Sequence, residues 1–222
     1  MRRITMCLAA VAVVFAAAGP LRAATVGGEV FGAFNSYTME DFNSGIQELN
    51  SDFGTNYEEI NNGFTGGLGI RIWPAPSWMI SAGWEPLFAE SKSDVTIDRK
   101  VNADANAFQL TGAYFFPSQG PGKFGMGAGV GYYTISGEAE EPDGLGGTIT
   151  SDVGGSTIGF HFLGLTEWTA SPGFAVTGAV GYRVANVEDT EFDGQSTVPK
   201  SETDYSGLML RAGLAFYLPS SK

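Results

Sequence analysis

The chain has one cysteine in 222 residues, Cys7, and one histidine, His161. A single thiol forms no disulfide within the chain, so the fold is held by other means. Imidazole catalysis or metal binding needs partner groups at matched spacing, and His161 is followed by Phe-Leu-Gly rather than by a nucleophile or a second ligand. Cations are scarce, with 12 Lys and Arg against 24 Asp and Glu. That balance lacks the basic footprint of a nucleic-acid binder and excludes this class of partner. Long apolar runs are scarce as well. The one at residues 4–18 is shorter than the roughly 20 residues of a spanning helix. No run of spanning length follows it, so any membrane insertion of the remaining chain must be as a closed barrel with every backbone group paired.

What is present begins with a leader. Arg2 and Arg3 precede the apolar run, Gly19-Pro20 breaks it, and Leu21-Arg22-Ala23 offers a small residue for cleavage. This is the layout of a secretory signal peptide over residues 1–23, with cleavage after Ala23, or alternatively Ala24. Cys7 leaves with it and lies far from the cleavage point, unlike a lipoprotein cysteine. Three arginines leave too, so 9 basic residues face 24 acidic ones, a net of −15. Residues 24–222 suit one domain.

That domain alternates with period two. Eight strands are expected, near 26–38, 63–73, 78–89, 107–116, 124–137, 157–169, 174–187 and 205–218. One face of each is apolar: Phe64, Leu68, Ile70 and Ile72 in the second, Phe160 and Phe162 in the sixth, Leu208, Leu210, Leu214 and Phe216 in the eighth. The first is less clear, since Val30 and Phe34 face one way and Phe31 and Tyr37 the other. The opposite faces are small or polar, as in Gly125, Gly127, Gly129 and Gly131 of the fifth strand. Such faces cannot build a soluble core. An apolar outside and a polar inside specify an all-β fold, an eight-stranded antiparallel transmembrane β-barrel.

The connections alternate in length. Residues 74–77, 117–123 and 170–173 are short; 39–62, 90–106, 138–156 and 188–204 are long. Bacterial barrels have short periplasmic turns and longer extracellular loops, so both termini are expected in the periplasm of an outer-membrane protein. Trp73 and Trp78, Phe116 and Phe124, and Trp168 and Phe174 bracket the turns and are expected to form an interfacial girdle.

The last strand reads Arg211-Ala-Gly-Leu-Ala-Phe-Tyr-Leu218. It resembles the C-terminal recognition signal of bacterial outer-membrane proteins, with Arg211, Gly213, Phe216 and Leu218 at the signal positions; the family more often ends on the aromatic. With the order of strands and loops, the chain resembles small outer-membrane barrels of the OmpA-barrel, OmpX, opacity and OmpW type. The resemblance implies a monomer in outer-membrane lipid, delivered to the barrel-assembly machinery by its C-terminal strand. Only four residues follow that strand, so the peptidoglycan-binding domain of many OmpA-like proteins is not expected.

Charge is sorted by position. Twenty-one of the 24 acids lie in the four long connections. The strands hold Glu29, Arg71, Glu85, Glu167, Arg183 and Arg211, and alternation turns five of the six inward, Glu29 being ambiguous. An arginine facing lipid at the midplane would cost about 2–4 kcal/mol, whereas facing inward it can pair. Heights counted from the turns suggest a mid-lumen network of Glu29, Glu85, Arg183 and Arg211, near His161, with Arg71–Glu167 below. The glycines of the fifth strand would leave room for it. Gly125-x-Gly-x-Gly-x-Gly131 has a strict spacing of two and is no dinucleotide fingerprint. In the first long connection, Phe42, Ile46, Leu49 and Phe53 share a helical face. A helix there would cap the mouth or lie on the membrane surface; the alternative is a loop packed on itself.

Neither a catalytic set, a cofactor site nor a metal site is expected. The functional expectation is a non-enzymatic barrel with a side-chain-filled polar lumen, serving envelope integrity or surface interaction. The alternative is a narrow channel, for small cations or for OmpW-like uptake of hydrophobic molecules.

Overall fold

The structure, a computed structural model, describes residues 24–54, 56–93, 99–102, 104–142, 148–187, 191–192, 195–196 and 202–218. The leader and its cleavage site lie outside these residues.

Eight antiparallel strands form the wall: β1 (Thr25–Ser36), β2 (Asn62–Ala75), β3 (Trp78–Leu87), β4 (Asp104–Phe115), β5 (Gly122–Pro142), β6 (Thr148–Ser171), β7 (Phe174–Val184) and β8 (Gly207–Tyr217). Each pairs with its neighbours in sequence, and β1 pairs with β8, so the sheet closes. Closure leaves no unpaired edge around the wall. The stagger follows from the register. Paired residues run from Val26 through Ile72, Ile80, Gly112, Ala128, Phe162, Tyr182 and Leu208. Leu208 N–H then donates to Ser36 Oγ, ten residues along β1 from the start. This shear tilts the strands and leaves an interior just wide enough to be filled by side chains.

The wall is inside out relative to a soluble protein. Large apolar side chains are exposed along it among the described residues, including Phe64, Ile70, Phe124, Ile158 and Phe162. So large a continuous apolar belt would drive association in water, and it matches the lipid-facing band of a transmembrane barrel. The fully buried side chains include Arg183, His161 and Glu85. Strand β1 obeys the same alternation: Val30 is exposed, while Glu29, Phe31 and Ala33 face inward.

Two features depart from the sequence expectation. Trp73 is 6% exposed and faces the lumen, so it is no part of the girdle. Alternation from Arg71, rather than nearness to the turn, decides its side. The outer aromatics at the turn end are Trp78, Tyr114 and Phe116, in successive edge contacts, with Phe124, Trp168 and Phe216. The second departure is the connection 138–156. Strands β5 and β6 stay paired to Glu138↔Asp152 and on to Pro142↔Thr148, so most of it is strand. Beyond the lipid a strand needs no apolar outer face, and the alternation that marks it in sequence disappears. Glu90–Ser93 and Arg99–Asn102 pair and join β5, and Glu191–Phe192 and Gln195–Ser196 join β6, extending this outer sheet.

The first long connection contains a helix, α1 (Glu40–Phe53), ended by Gly54 in the left-handed conformation. Its buried face carries Asn43 and Ile46, with Phe42 packed beside them. It lies across the mouth of the barrel.

Candidate functional site: a lumen closed in layers

At the turn end, Trp73, Met79, Ala113 and Phe115 form a buried cluster with Leu165 and Tyr217 against it. The Trp73 and Phe115 rings are 4.8 Å apart. Lys123 Nζ stands 4.7 Å from the Trp73 ring, a cation–π contact.

Above it lies the first charged group. Arg71 Nη1 is 3.0 Å from Glu167 Oε2 and 3.7 Å from Glu29 Oε1. Tyr217 donates its hydroxyl to Glu167 at 2.6 Å, and Thr177 donates to Glu29 at 2.6 Å. The second group centres on Glu85, which is 1% exposed. It pairs with Arg211 and accepts from Asn35 Nδ2 at 2.9 Å and Gln109 Nε2 at 3.3 Å. Arg211 also donates to Gln109 Oε1 at 2.7 Å and lies 4.8 Å from the Phe31 ring. Such buried pairs persist where further hydrogen bonds support the ions; here the carboxylates have them, while Arg71 Nη1 and Arg211 Nε make no hydrogen bond among the described residues. His161 Nε2 is 2.8 Å from Thr111 Oγ1. Two cavities of about 50 and 30 Å³ lie among Glu29, Phe31, Ser81, Thr111 and Arg211. They hold a few water molecules at most.

The lumen changes character at the loop end. Tyr37, Met39, Leu87, Ala105, Ala107, Tyr133, Ile135, Val187 and Tyr205 form an apolar cluster with Ile46 of α1 and Tyr57 and Ile60. Burial pushes the Tyr37 hydroxyl up to about 12 against the pull of Arg183, and it raises that of Tyr205 also. Both stay neutral.

The covering segment is internally braced. Asn43 Nδ2 donates to Ile60 O and its Oδ1 accepts from Ile60 N–H; Asn50 does the same with Tyr57. The two asparagines are two helical turns apart, about 10 Å. Three extended residues span the same distance, about 10 Å. The match lets α1 and residues 56–61 behave as one body. Met39, where that body leaves the wall, has φ 24° and no exposed surface. A methionine in this region stores strain of about 1–3 kcal/mol, held by the surrounding packing.

Arg183 stands between the layers. It is fully buried. Its Nε donates to Tyr205 O at 2.9 Å, its Nη1 reaches only Met209 Sδ at 3.6 Å, and its Nη2 has no hydrogen-bond partner among the described residues. The Tyr133 and Tyr37 rings are 5.7 and 6.0 Å from its Cζ.

The structure thus brings Arg71 to Glu167 and Arg211 to Glu85, puts Glu29 with Arg71, and leaves Arg183 apart. The register explains the last two. Glu29 is level with Ala215 and Ala175, eight residues along β7 from Arg183. Adjacent strands in a sheared barrel do not bring equal counts from the turn to equal heights. Asn35, Thr177 and Tyr217 complete the carboxylate shells without having been singled out; alternation alone puts all three inward. Of the C-terminal signal residues, Arg211 is in the lumen, Phe216 and Leu218 face outward, and Gly213 lies against Val30 O and Thr177.

Fold and lumen define a class: small, closed eight-stranded β-barrels with an apolar, lipid-facing wall. Solved outer-membrane proteins share this fold. The chain superposes on a major outer membrane protein from Thermus thermophilus with TM-score 0.57 and 14% identity, covering 87% of this chain and 99% of that one. Neisserial surface protein A gives 0.56 and 12%, covering 88% and 99%. The outer membrane protein OprG from Pseudomonas aeruginosa gives 0.55 and 12%, covering 89% and 96%. No protein-family model and no curated protein matches the sequence.

Proposed function

We propose that the protein is a closed, non-enzymatic barrel of the bacterial outer membrane, serving envelope integrity or surface interaction, with its termini in the periplasm and its long loops outside. The supporting observation is the layered lumen. An aromatic cluster, two charged groups and an apolar cap follow one another, and the two cavities among the charged groups have room for waters only. A cation channel needs a continuous polar path, and the apolar mouth opposes one. His161 is fully buried and bonded to Thr111, which favours a structural role. The barrel stands as a monomer in lipid, and the C-terminal strand is the segment offered to the assembly machinery.

Orientation is tested by cysteine labelling, since the leader holds the chain's one cysteine. Ser51→Cys on the exposed face of α1 is expected to react with an impermeant maleimide on intact cells, and Ser118→Cys in a short turn only after lysis. The opposite pattern would overturn the reading. Proteoliposomes of the refolded protein are expected not to swell in small sugars.

A further inference from the structure

The apolar mouth has a charged floor. We propose that the space filled by Met39 and Ile46 is a ligand chamber, that α1 with residues 56–61 is its lid, and that the ligand is an amphipathic anion whose head is taken by Arg183.

Three observations carry this. The carboxylates Glu29, Glu85 and Glu167 are each engaged by Arg71 or Arg211, so among the described residues Arg183 has no carboxylate partner. A fully buried cation without a counter-charge is unfavourable unless something supplies one. Beside that guanidinium lie the Tyr133 and Tyr37 rings, whose hydroxyls make no close hydrogen bond among the described residues. The guanidinium and the phenols can all donate, and a carboxylate or sulfate head is an acceptor for such groups. Above them the lining is Leu87, Ala107, Ile135 and Val187, which suits an alkyl tail and not a second charge. A bare inorganic anion would leave that lining in water, so the head alone is not the ligand.

Access is through the lid. It is one braced body because of Asn43 and Asn50. It leaves the wall at Met39, whose left-handed backbone is relieved if the segment swings away. In the closed state Met39 and Ile46, both buried, occupy the place of the tail. Binding is therefore a competition between the lid's side chains and the ligand. It requires no path through the charged groups below, so it stands or falls apart from the closure of the lumen.

The test is equilibrium binding of radiolabelled decanoate to the refolded protein in lipid nanodiscs, with empty discs subtracted. Saturable binding at one site per barrel is expected, with no saturable binding of decanol. Arg183→Met is expected to weaken it about tenfold or more, the worth of a charge-assisted hydrogen bond. Tyr133→Phe removes a hydroxyl that makes no close hydrogen bond among the described residues, so it is expected to keep the fold and to weaken binding by a smaller factor. Equal affinity for decanol, absence of a saturable component, or unchanged binding in Arg183→Met would each overturn the proposal. Should Arg183→Met fail to fold, unchanged binding in Tyr133→Phe would overturn it in the same way.

Discussion

Glu85 accepts from Asn35 and Gln109 and pairs with Arg211, so it sits at the centre of the best-connected polar group in the lumen. Glu85→Gln strands the guanidinium and is expected to cost about 3–5 kcal/mol. The readout is the urea midpoint at which the fast-migrating unboiled gel band is lost; an unchanged midpoint would contradict the pairing. Arg183 has the opposite expectation. Met in its place removes a cation that no carboxylate contacts among the described residues, so Arg183→Met is expected to be neutral or to stabilise by about 1–4 kcal/mol in the same assay. A marked loss would show that the charge is compensated in the folded protein. Gly129 makes a third case. A Cβ there would overlap the His161 ring and Leu110 O, so Gly129→Val is expected to abolish the fast-migrating form. These sites were legible to different degrees. Period-two alternation places five of the six strand charges inward, Glu29 being ambiguous, and height places Arg71 near Glu167 and Glu85 near Arg211. Arg183 was not legible in this way, because its height relative to Glu29 depends on a ten-residue stagger that no single strand encodes.

Among the elements, α1 shows how a helix is held over a barrel. Phe42 and Ile46 mark its inner face in sequence, and Ile46 fills the mouth. The spacing of Asn43 and Asn50 carries the rest of the information, since it is set by the geometry of the segment they grip. Asn43→Ala with Asn50→Ala leaves the amides of Tyr57 and Ile60 without acceptors, each worth about 1–3 kcal/mol. Hydrogen exchange at those two amides is expected to rise by orders of magnitude while exchange in β4 and β5 is unchanged. Unchanged exchange at Tyr57 and Ile60 would mean that the lid is held by its apolar contacts alone. The element least visible in sequence is the outer part of β5 and β6. Its pairing continues through Glu138, Glu140 and Glu141, residues that resemble a solvated loop in sequence because the apolar alternation of a lipid-facing strand is missing there.

For the whole molecule, the solvent explains the sequence. Lipid takes the role that a core takes in water, so the apolar residues go outside and two of the scarce basic residues, Arg71 and Arg211, pair with buried acids. The lumen is then left to polar side chains, which fill it in the middle, while aromatic and aliphatic clusters seal its two ends. Alternation and loop lengths were sufficient to read the barrel. The apolar seal is not legible in the sequence, because its residues come from three strands and two long connections and converge only when the sheet closes. Single-channel recording of the refolded, fast-migrating form in planar lipid bilayers tests that closure most directly. Conductance is expected to stay at the baseline of the bare lipid at moderate voltage. Discrete, cation-selective steps from the intact protein would contradict the account.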